Sequence, residues 1–232
     1  MRYNHNHDPK NGRFASASGG GTSNDWTGAE PQSHTKEEMN AVVDYAKSKG
    51  IQFYNPYKFD GDIELLKEQI DVLDGLKKEY GITRKVTISV GDMDDDDFAI
   101  TTDHSIVYNI KALRNREITN KNLQSDNWLA TDDVTGITVH EFGHIISKKY
   151  GEKGLDIARQ AYYNINKQSI STDDLVEYLS SNVSEYSVKA TKRTHKTVYL
   201  EVTSEMLSKE MYGKPDKFSG EFVRLLKGRC SG

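Results

Sequence analysis

Apolar positions recur at helical spacing in several separate runs of the chain, and at alternate positions in one central stretch. Thr35-Lys36-Glu37-Glu38 has the form of a capping box and leads into Met39, Val42, Val43 and Ala46, with Gly50 as a stop, which predicts a first helix. Residues 51–57 form a short aromatic segment that ends in a turn at Pro56. A second helix is expected from about Asp62, with Ile63, Leu66, Ile70, Leu73 and Tyr80 on one stripe and Gly81 behind them. The pattern then changes period. Val86, Ile88 and Val90 alternate within residues 85–90, and residues 98–102 and 105–110 are two further candidate strands. After a polar stretch over 111–129, helical spacing returns at about 132–150, closed by Gly151. More helices are expected at about 154–168, at 172–182 with Thr172 as cap, at 197–212, and near 216–228, where Phe218, Phe222, Leu225 and Leu226 share a face. No internal repeat is visible. Helix, helix, sheet, then helices is the order of an α+β domain.

Residues 1–34 carry no such period. They are rich in Asn, Gly, Ser and His, include Gly19-Gly20-Gly21, and offer little apolar surface to offset the entropy of ordering. The expected organisation is therefore a flexible leader over 1–34 and one domain over 35–232, with an N-terminal helical part at 35–82 and the core at 83–232.

Composition narrows the chemistry. The net charge of −4 over 232 residues gives no electrostatic reason to expect nucleic acid as a partner. Cys230 is the only cysteine, which excludes a disulfide framework and a cysteine-ligated metal. The first residues hold no apolar signal core, and no run of apolar residues is long enough to span a bilayer. A soluble protein of a reducing compartment, with no membrane partner, is the expectation. The acidic run Asp92, Asp94, Asp95, Asp96, Asp97 lacks the spacing and distal Glu of a calcium loop, so it reads as a solvated turn.

One motif carries chemistry directly. His140-Glu141-Phe142-Gly143-His144 is an H-E-x-x-H on an expected helix. Its two imidazoles lie one turn apart on one face and can reach a single ion. Zinc favours neutral imidazole nitrogens, and a catalytic site keeps one position open for water, so a third protein ligand is required. Glu141 is placed to take a proton from metal-activated water and pass it to a leaving amine. Ile137, Val139, Ile145 and Ile146 flank the motif, which predicts a buried helix where an unligated His pair would be costly.

The other histidines are poor third ligands. His5, His7 and His34 belong to the leader, His104 to a turn, and His195 to a basic polar stretch. Downstream, Glu201 and Glu205 stand at i and i+4 of the expected helix, with Leu200 and Met206 as core-type neighbours. One can ligate the metal through an oxygen while the other accepts a hydrogen bond from a ligand histidine and fixes its tautomer.

HEFGH followed by E-x-x-x-E on a later helix resembles the Glu-ligand branch of the zincin metallopeptidases, closest to lethal-factor-type toxin peptidases and the zincin domains of phage head proteins. The resemblance covers about residues 98–212. It implies a zincin-like fold, with a small mixed sheet whose edge strand packs on the H-E-x-x-H helix and a helical C-terminal half. It also implies Zn2+ held by His140, His144 and Glu201, with Glu205 as the supporting carboxylate and Glu141 as general base. Val202-Thr203-Ser204 stands where the relatives carry aromatics and a small residue. The relatives place an S-x-Y segment before the ligand helix, whose tyrosine donates to the oxyanion. Ser184-Glu185-Tyr186 resembles it and makes Tyr186 the first candidate, with Tyr199 the second. In such folds an extended protein or peptide substrate pairs with the edge strand, a role that falls here to residues 105–110.

His7-Asp8-Pro9-Lys10-Asn11-Gly12-Arg13-Phe14-Ala15-Ser16 is similar to segments of tailed-phage capsid, scaffold and head-maturation proteins. The two resemblances together imply a zinc endopeptidase of phage or prophage origin, cytoplasmic in the host cell or virion-associated, with phage head proteins among its partners. The competing expectation is a non-catalytic head or minor capsid protein that keeps a zincin fold.

Overall fold

The computed structural model of the chain describes residues 13–15, 24–124, 129–151, 153–193 and 196–230. Helix α1 (Lys36–Ser48) starts at the Thr35 capping box, in which Glu38 N donates to Thr35 Oγ1 at 3.2 Å and Thr35 N to Glu38 Oε2 at 2.8 Å. Helix α2 (Ile63–Glu79) is capped by Asp62, whose carboxylate accepts from the amides of Glu64 and Leu65. Between and after them lie β2 (Ile51–Phe53), β3 (Val86–Gly91), β4 (Asp97–Thr102) and β5 (Ser105–Asn109). Helices α3 (Arg116–Leu123), α4 (Thr135–Tyr150), α5 (Gly154–Asn166) and α6 (Thr172–Asn182) follow, then the hairpin β6 (Ala190–Arg193) and β7 (Lys196–Tyr199), and finally α7 (Val202–Tyr212) and α8 (Lys217–Cys230). The class is α+β, as the pattern implies. No helix among the described residues is long and apolar enough to cross a membrane.

Five strands form one mixed sheet in the order β1-β4-β5-β3-β2, where β1 is Arg13–Ala15. Strands β2, β3 and β5 run parallel, while β4 is antiparallel to β5 and to β1. The expectation that residues 105–110 form the edge is therefore corrected. Strand β5 is interior, bonded on one side to β3 and on the other to β4, which fits its Ile106 and Tyr108 being buried. Strand β4, itself between β1 and β5, is the one whose Thr101 bonds to the H-E-x-x-H helix.

Helix α4 lies against this sheet and α2. Its N-terminal amide at Thr135 is satisfied by the Asp133 carboxylate at 2.8 Å, and Asp133 also meets Arg116 of α3 at 3.1 Å. Thr138 links three elements: its hydroxyl donates to Gln69 of α2 at 2.5 Å, and it sits 2.8 Å from the Tyr108 hydroxyl of β5. Phe142 packs on Tyr80 with ring centroids 5.9 Å apart. The helix closes at Gly151, whose φ of 86° is the left-handed conformation that a glycine adopts without strain.

Three further expectations change. Residues 197–199 are not the start of a helix but strand β7, paired with β6 through Thr191↔Val198 and Lys192↔Thr197. The β-branched and aromatic residues Thr197, Val198 and Tyr199 favour extended backbone over helix. Helix α6 is capped by Ser171, which accepts from the Asp174 amide at 3.1 Å, rather than by Thr172. The packed domain also includes residues 24–34, which the hydropathy pattern assigns to the leader. Trp26 Nε1 donates to Asp95 O at 3.0 Å, Trp26 meets Phe98 edge-on at 5.9 Å, and Ala29 is buried. The same contacts order the acidic turn, where Lys111 Nζ sits 2.7 Å from Asp95 and 3.2 Å from Asp92. Asp92, Asp94 and Asp95 are exposed, as a solvated turn implies, and Lys111 offsets part of their charge.

Candidate metal centre

The residues of the H-E-x-x-H motif and the downstream carboxylates converge where α4 crosses α7. Close approach of the two helices depends on Gly143. A Cβ at that position would lie 2.5 Å from Ser204 Cα, 2.7 Å from its Oγ and 2.9 Å from its N. With only a hydrogen there, α7 can rest on α4. Gly154, at the start of α5, meets the same helix at Thr203 and Val202. Small residues at Gly143 and Ser204 thus set the distance across which Glu201 and Glu205 reach the histidines.

The geometry is compact. His140 Nε2 lies 3.2 Å from Glu201 Oε2, His144 Nε2 lies 3.2 Å from the same oxygen, and the two Nε2 atoms are 3.2 Å apart. Their three donor atoms could hold a metal ion, and among the described residues no other such group exists. Glu201 is not inside the helix, as the i,i+4 reading supposes, but is the cap residue just before α7. Its carbonyl still accepts from the Glu205 amide at 2.9 Å, so both carboxylates keep the one-turn relation.

Glu205 does what a supporting carboxylate must. Its Oε1 is 2.7 Å from His140 Nδ1, and its Oε2 accepts from the Ala130 amide at 2.7 Å and from the Ser184 hydroxyl at 2.7 Å. Proximity to Glu205 favours the proton on Nδ1, so Nε2, which faces Glu201 Oε2 and His144 Nε2, is the nitrogen that gives up its proton when a cation is bound. Ser184 is the first member of the S-x-Y segment. Its hydroxyl also accepts from the Ser187 amide at 3.0 Å, which ties the 3-10 turn of Tyr186–Val188 to α7.

Glu141 reaches β4 while staying close enough to His140, His144 and Glu201 to feel their charges. The buried Thr101 hydroxyl donates to its carboxylate and also lies 3.1 Å from its backbone carbonyl. The second carboxylate oxygen, Oε1, is buried with no hydrogen-bond partner. Burial pushes Glu141 up to about 7, against the opposing pull of His140, His144 and Thr101. Burial also disfavours the charged form of His140, but the carboxylates of Glu201 and Glu205 outweigh it and raise that group overall. Tyr186 is fully buried, its ring centroid 5.8 Å from that of His140. Burial, then the charges of Glu201, Glu141 and Glu205, hold its hydroxyl well above its ordinary value, so it stays a proton donor. Lys189 sits over the Tyr186 ring at 5.0 Å, and burial lowers it to about 8 while Glu201 and Asp97 counteract.

The chain was set against protein families, curated proteins and solved structures for likeness. None matches. What the site does is carried by its own geometry.

That geometry brings together His140, Glu141, His144, Glu201, Glu205 and Tyr186. It leaves Tyr199 half-buried at the end of β7. His34 is used elsewhere, with Nε2 2.7 Å from Gly61 O and its ring stacked on Phe59. His5, His7 and His195 lie outside the described residues, as do most residues of the segment from His7 to Ser16. Thr101, Ser184 and the Ala130 amide are contacts that motif reading misses. Thr101 carries no local signal, because β4 reads Asp97-Phe98-Ala99-Ile100-Thr101-Thr102 and only the fold distinguishes the buried Thr101 from the exposed Thr102.

Proposed function

We propose that the chain is a zinc-dependent peptidase of the zincin type. The observation that carries this reading is the triangle of donor atoms with 3.2 Å edges beside a buried carboxylate with one unpartnered oxygen. Tetrahedral zinc with ligand distances near 2.0 Å requires donor-to-donor separations of about 3.3 Å. Two imidazoles and one carboxylate also match the ligand preference of a catalytic zinc site with one open position. Charge argues the same way. Glu141, Glu201 and Glu205 are all fully buried within one cluster, an arrangement that is costly without a cation among them.

A zinc ion held by His140, His144 and Glu201 would supply Lewis acidity to water and to the scissile carbonyl. The chain's own groups do the rest. Glu141, poised near neutrality and steadied by Thr101, takes the proton of the attacking water at its open oxygen and delivers it to the leaving amine. Tyr186 donates its hydroxyl proton as a hydrogen bond to the developing oxyanion. Glu205, anchored by Ala130 and Ser184, keeps His140 in the ligating tautomer and orientation. The zincin reading is also supported by the layout: a mixed sheet, an antiparallel strand next to the H-E-x-x-H helix, and a ligand carboxylate from a later helix. A purely structural particle protein has no use for a buried, half-satisfied Glu141, which favours catalysis over the non-catalytic phage alternative.

The test is cleavage of a broad peptide library by zinc-loaded wild type and by Glu141→Gln. Turnover by the first and none by the second is expected. Equal inertness of both, with zinc bound at full occupancy, refutes the peptidase reading.

A further inference from the structure

Strand β4 is bonded to β5 along one edge, and its other edge is covered by three residues from the far N-terminal part of the chain. The register is antiparallel, Arg13↔Ile100, Phe14↔Ala99 and Ala15↔Asp97, with a shift between Phe14 and Ala15. The three-residue β2 on the opposite edge pairs with β3 in regular register, so among the described pairings of the sheet only that of β1 is both short and bulged.

Position makes this edge significant. From β4, Thr101 reaches Glu141, the group assigned above to move protons. At the other end of the strand, Asp97 is close enough to Tyr186 and Lys189 to act on both electrostatically. The strand therefore runs past the whole centre, from the oxyanion donor to the base. Strand β1 lies on its outer side and abuts α4 itself.

A sheet edge presents a row of unpaired amides and carbonyls that an extended peptide can complete. Here that row is already taken by the protein's own chain. In the same conformation His140, Glu141, Glu201 and Tyr186 have no exposed surface and His144 only 5%. The cavities of about 650, 470 and 390 Å³ elsewhere on the molecule are lined by none of these five residues. A site so closed admits a peptide only after something leaves. Withdrawal of β1 would break three rungs at an outer edge and leave the β4-β5-β3-β2 pairings whole.

We propose that the outer edge of β4 is the peptide-docking edge of the centre and that Arg13–Ala15 occupy it as a tethered, substrate-like strand, which holds the site closed until it is displaced. The inference deepens the peptidase reading and rests on it for the identity of the displaced ligand as substrate. Tethering places the strand at an effective concentration in the millimolar range, so a free peptide of similar intrinsic affinity competes poorly.

The test uses the full chain, zinc-loaded, in a Glu141→Gln background so that the probe is not consumed. Arg13→Pro and Phe14→Pro are introduced together, because successive residues of a strand direct their amides to opposite sides and at least one must face β4. The probe is a fluorescein-labelled synthetic peptide of residues 8–19 of this chain. The double-proline chain is expected to bind it at least tenfold more tightly than the chain with the native leader. Amides over residues 97–100 are expected to lose hydrogen-exchange protection in the double-proline chain and to regain it with peptide. Equal binding by the two chains, or unchanged protection at 97–100, overturns the proposal. Neither readout requires turnover. If binding and exchange behave as expected while the same chains with native Glu141 cleave nothing, the docking edge stands and only the peptidase reading falls.

Discussion

Replacing Gly143 by alanine tests whether the approach of two helices, and not the motif alone, creates the centre. The new Cβ would lie 2.5 Å from Ser204 Cα, where ordinary contact begins near 3.4 Å, so α7 must retreat by about 0.9 Å. The obstacle is backbone, and no rotamer change relieves it. Overpacking of this kind costs roughly 1–3 kcal/mol. Alanine returns about 1 kcal/mol of helix propensity, which leaves a net loss of roughly 0–2 kcal/mol. For a domain of this size that is a fall in Tm of up to about 8 °C. The larger effect falls on the metal. Glu201 rides on the end of α7, so its 3.2 Å separations from both imidazoles open toward about 4 Å, beyond the edge of a tetrahedral zinc site. Zinc affinity is expected to drop at least tenfold, about 1.4 kcal/mol. Chelator-competition titration measures the affinity, and thermal unfolding with and without zinc measures the metal-dependent stabilisation. Wild-type values for both in Gly143→Ala would refute the claim that this contact sets the ligand geometry.

Other substitutions separate the roles of the remaining groups. Glu201→Ala removes a ligand and is expected to abolish measurable zinc binding, whereas Glu205→Ala leaves three ligands and costs about 10–100-fold in affinity. Similar losses in both would show that the two carboxylates are not divided as ligand and support. Thr101→Val removes the donor to Glu141 and is expected to lower kcat about tenfold with little change in KM, and Thr101→Ser is expected to restore it. In the metal-free protein, Glu141 has a folded pKa of about 7 against 4.5 for the free side chain. The raised value means its contribution to stability is fully present below about pH 4.5 and is lost as pH rises through about 7. The difference amounts to on the order of 3 kcal/mol. Urea unfolding of metal-free Glu141→Gln should therefore show a flatter pH dependence than wild type between pH 5 and 8. An unchanged slope would contradict the placement of Glu141 in a dry site.

The parts of this structure legible in the sequence are those written by local period and by chemistry. The capping box at Thr35, the stripe of α2 and the alternation in β3 all state their elements through short-range spacing. The group that could hold a metal ion is legible because two imidazoles and a pair of carboxylates one turn apart have few other uses in a core. What stayed hidden depends on contacts between distant residues. Nothing local in Arg13-Phe14-Ala15 says that it will pair with β4, since a three-residue strand is defined by its partner. The interior position of β5 follows from its pairing with both β3 and β4, an order that alternation alone cannot supply. Helix α3 was obscured by its polarity, because it is held by Arg116 and Asn120 bonding to Asp133 more than by an apolar stripe. Strand β7 is hidden in the sequence because Glu201 and Glu205 suggest a helix whose start the β-branched residues before them deny.

Anomalous diffraction at the zinc edge, from crystals of the zinc-loaded protein, addresses the central claim most directly. The account predicts one peak about 2.0–2.2 Å from His140 Nε2, His144 Nε2 and a Glu201 carboxylate oxygen, with Glu141 outside the ligand sphere. A peak at any other cluster, or none despite stoichiometric zinc in solution, would contradict it.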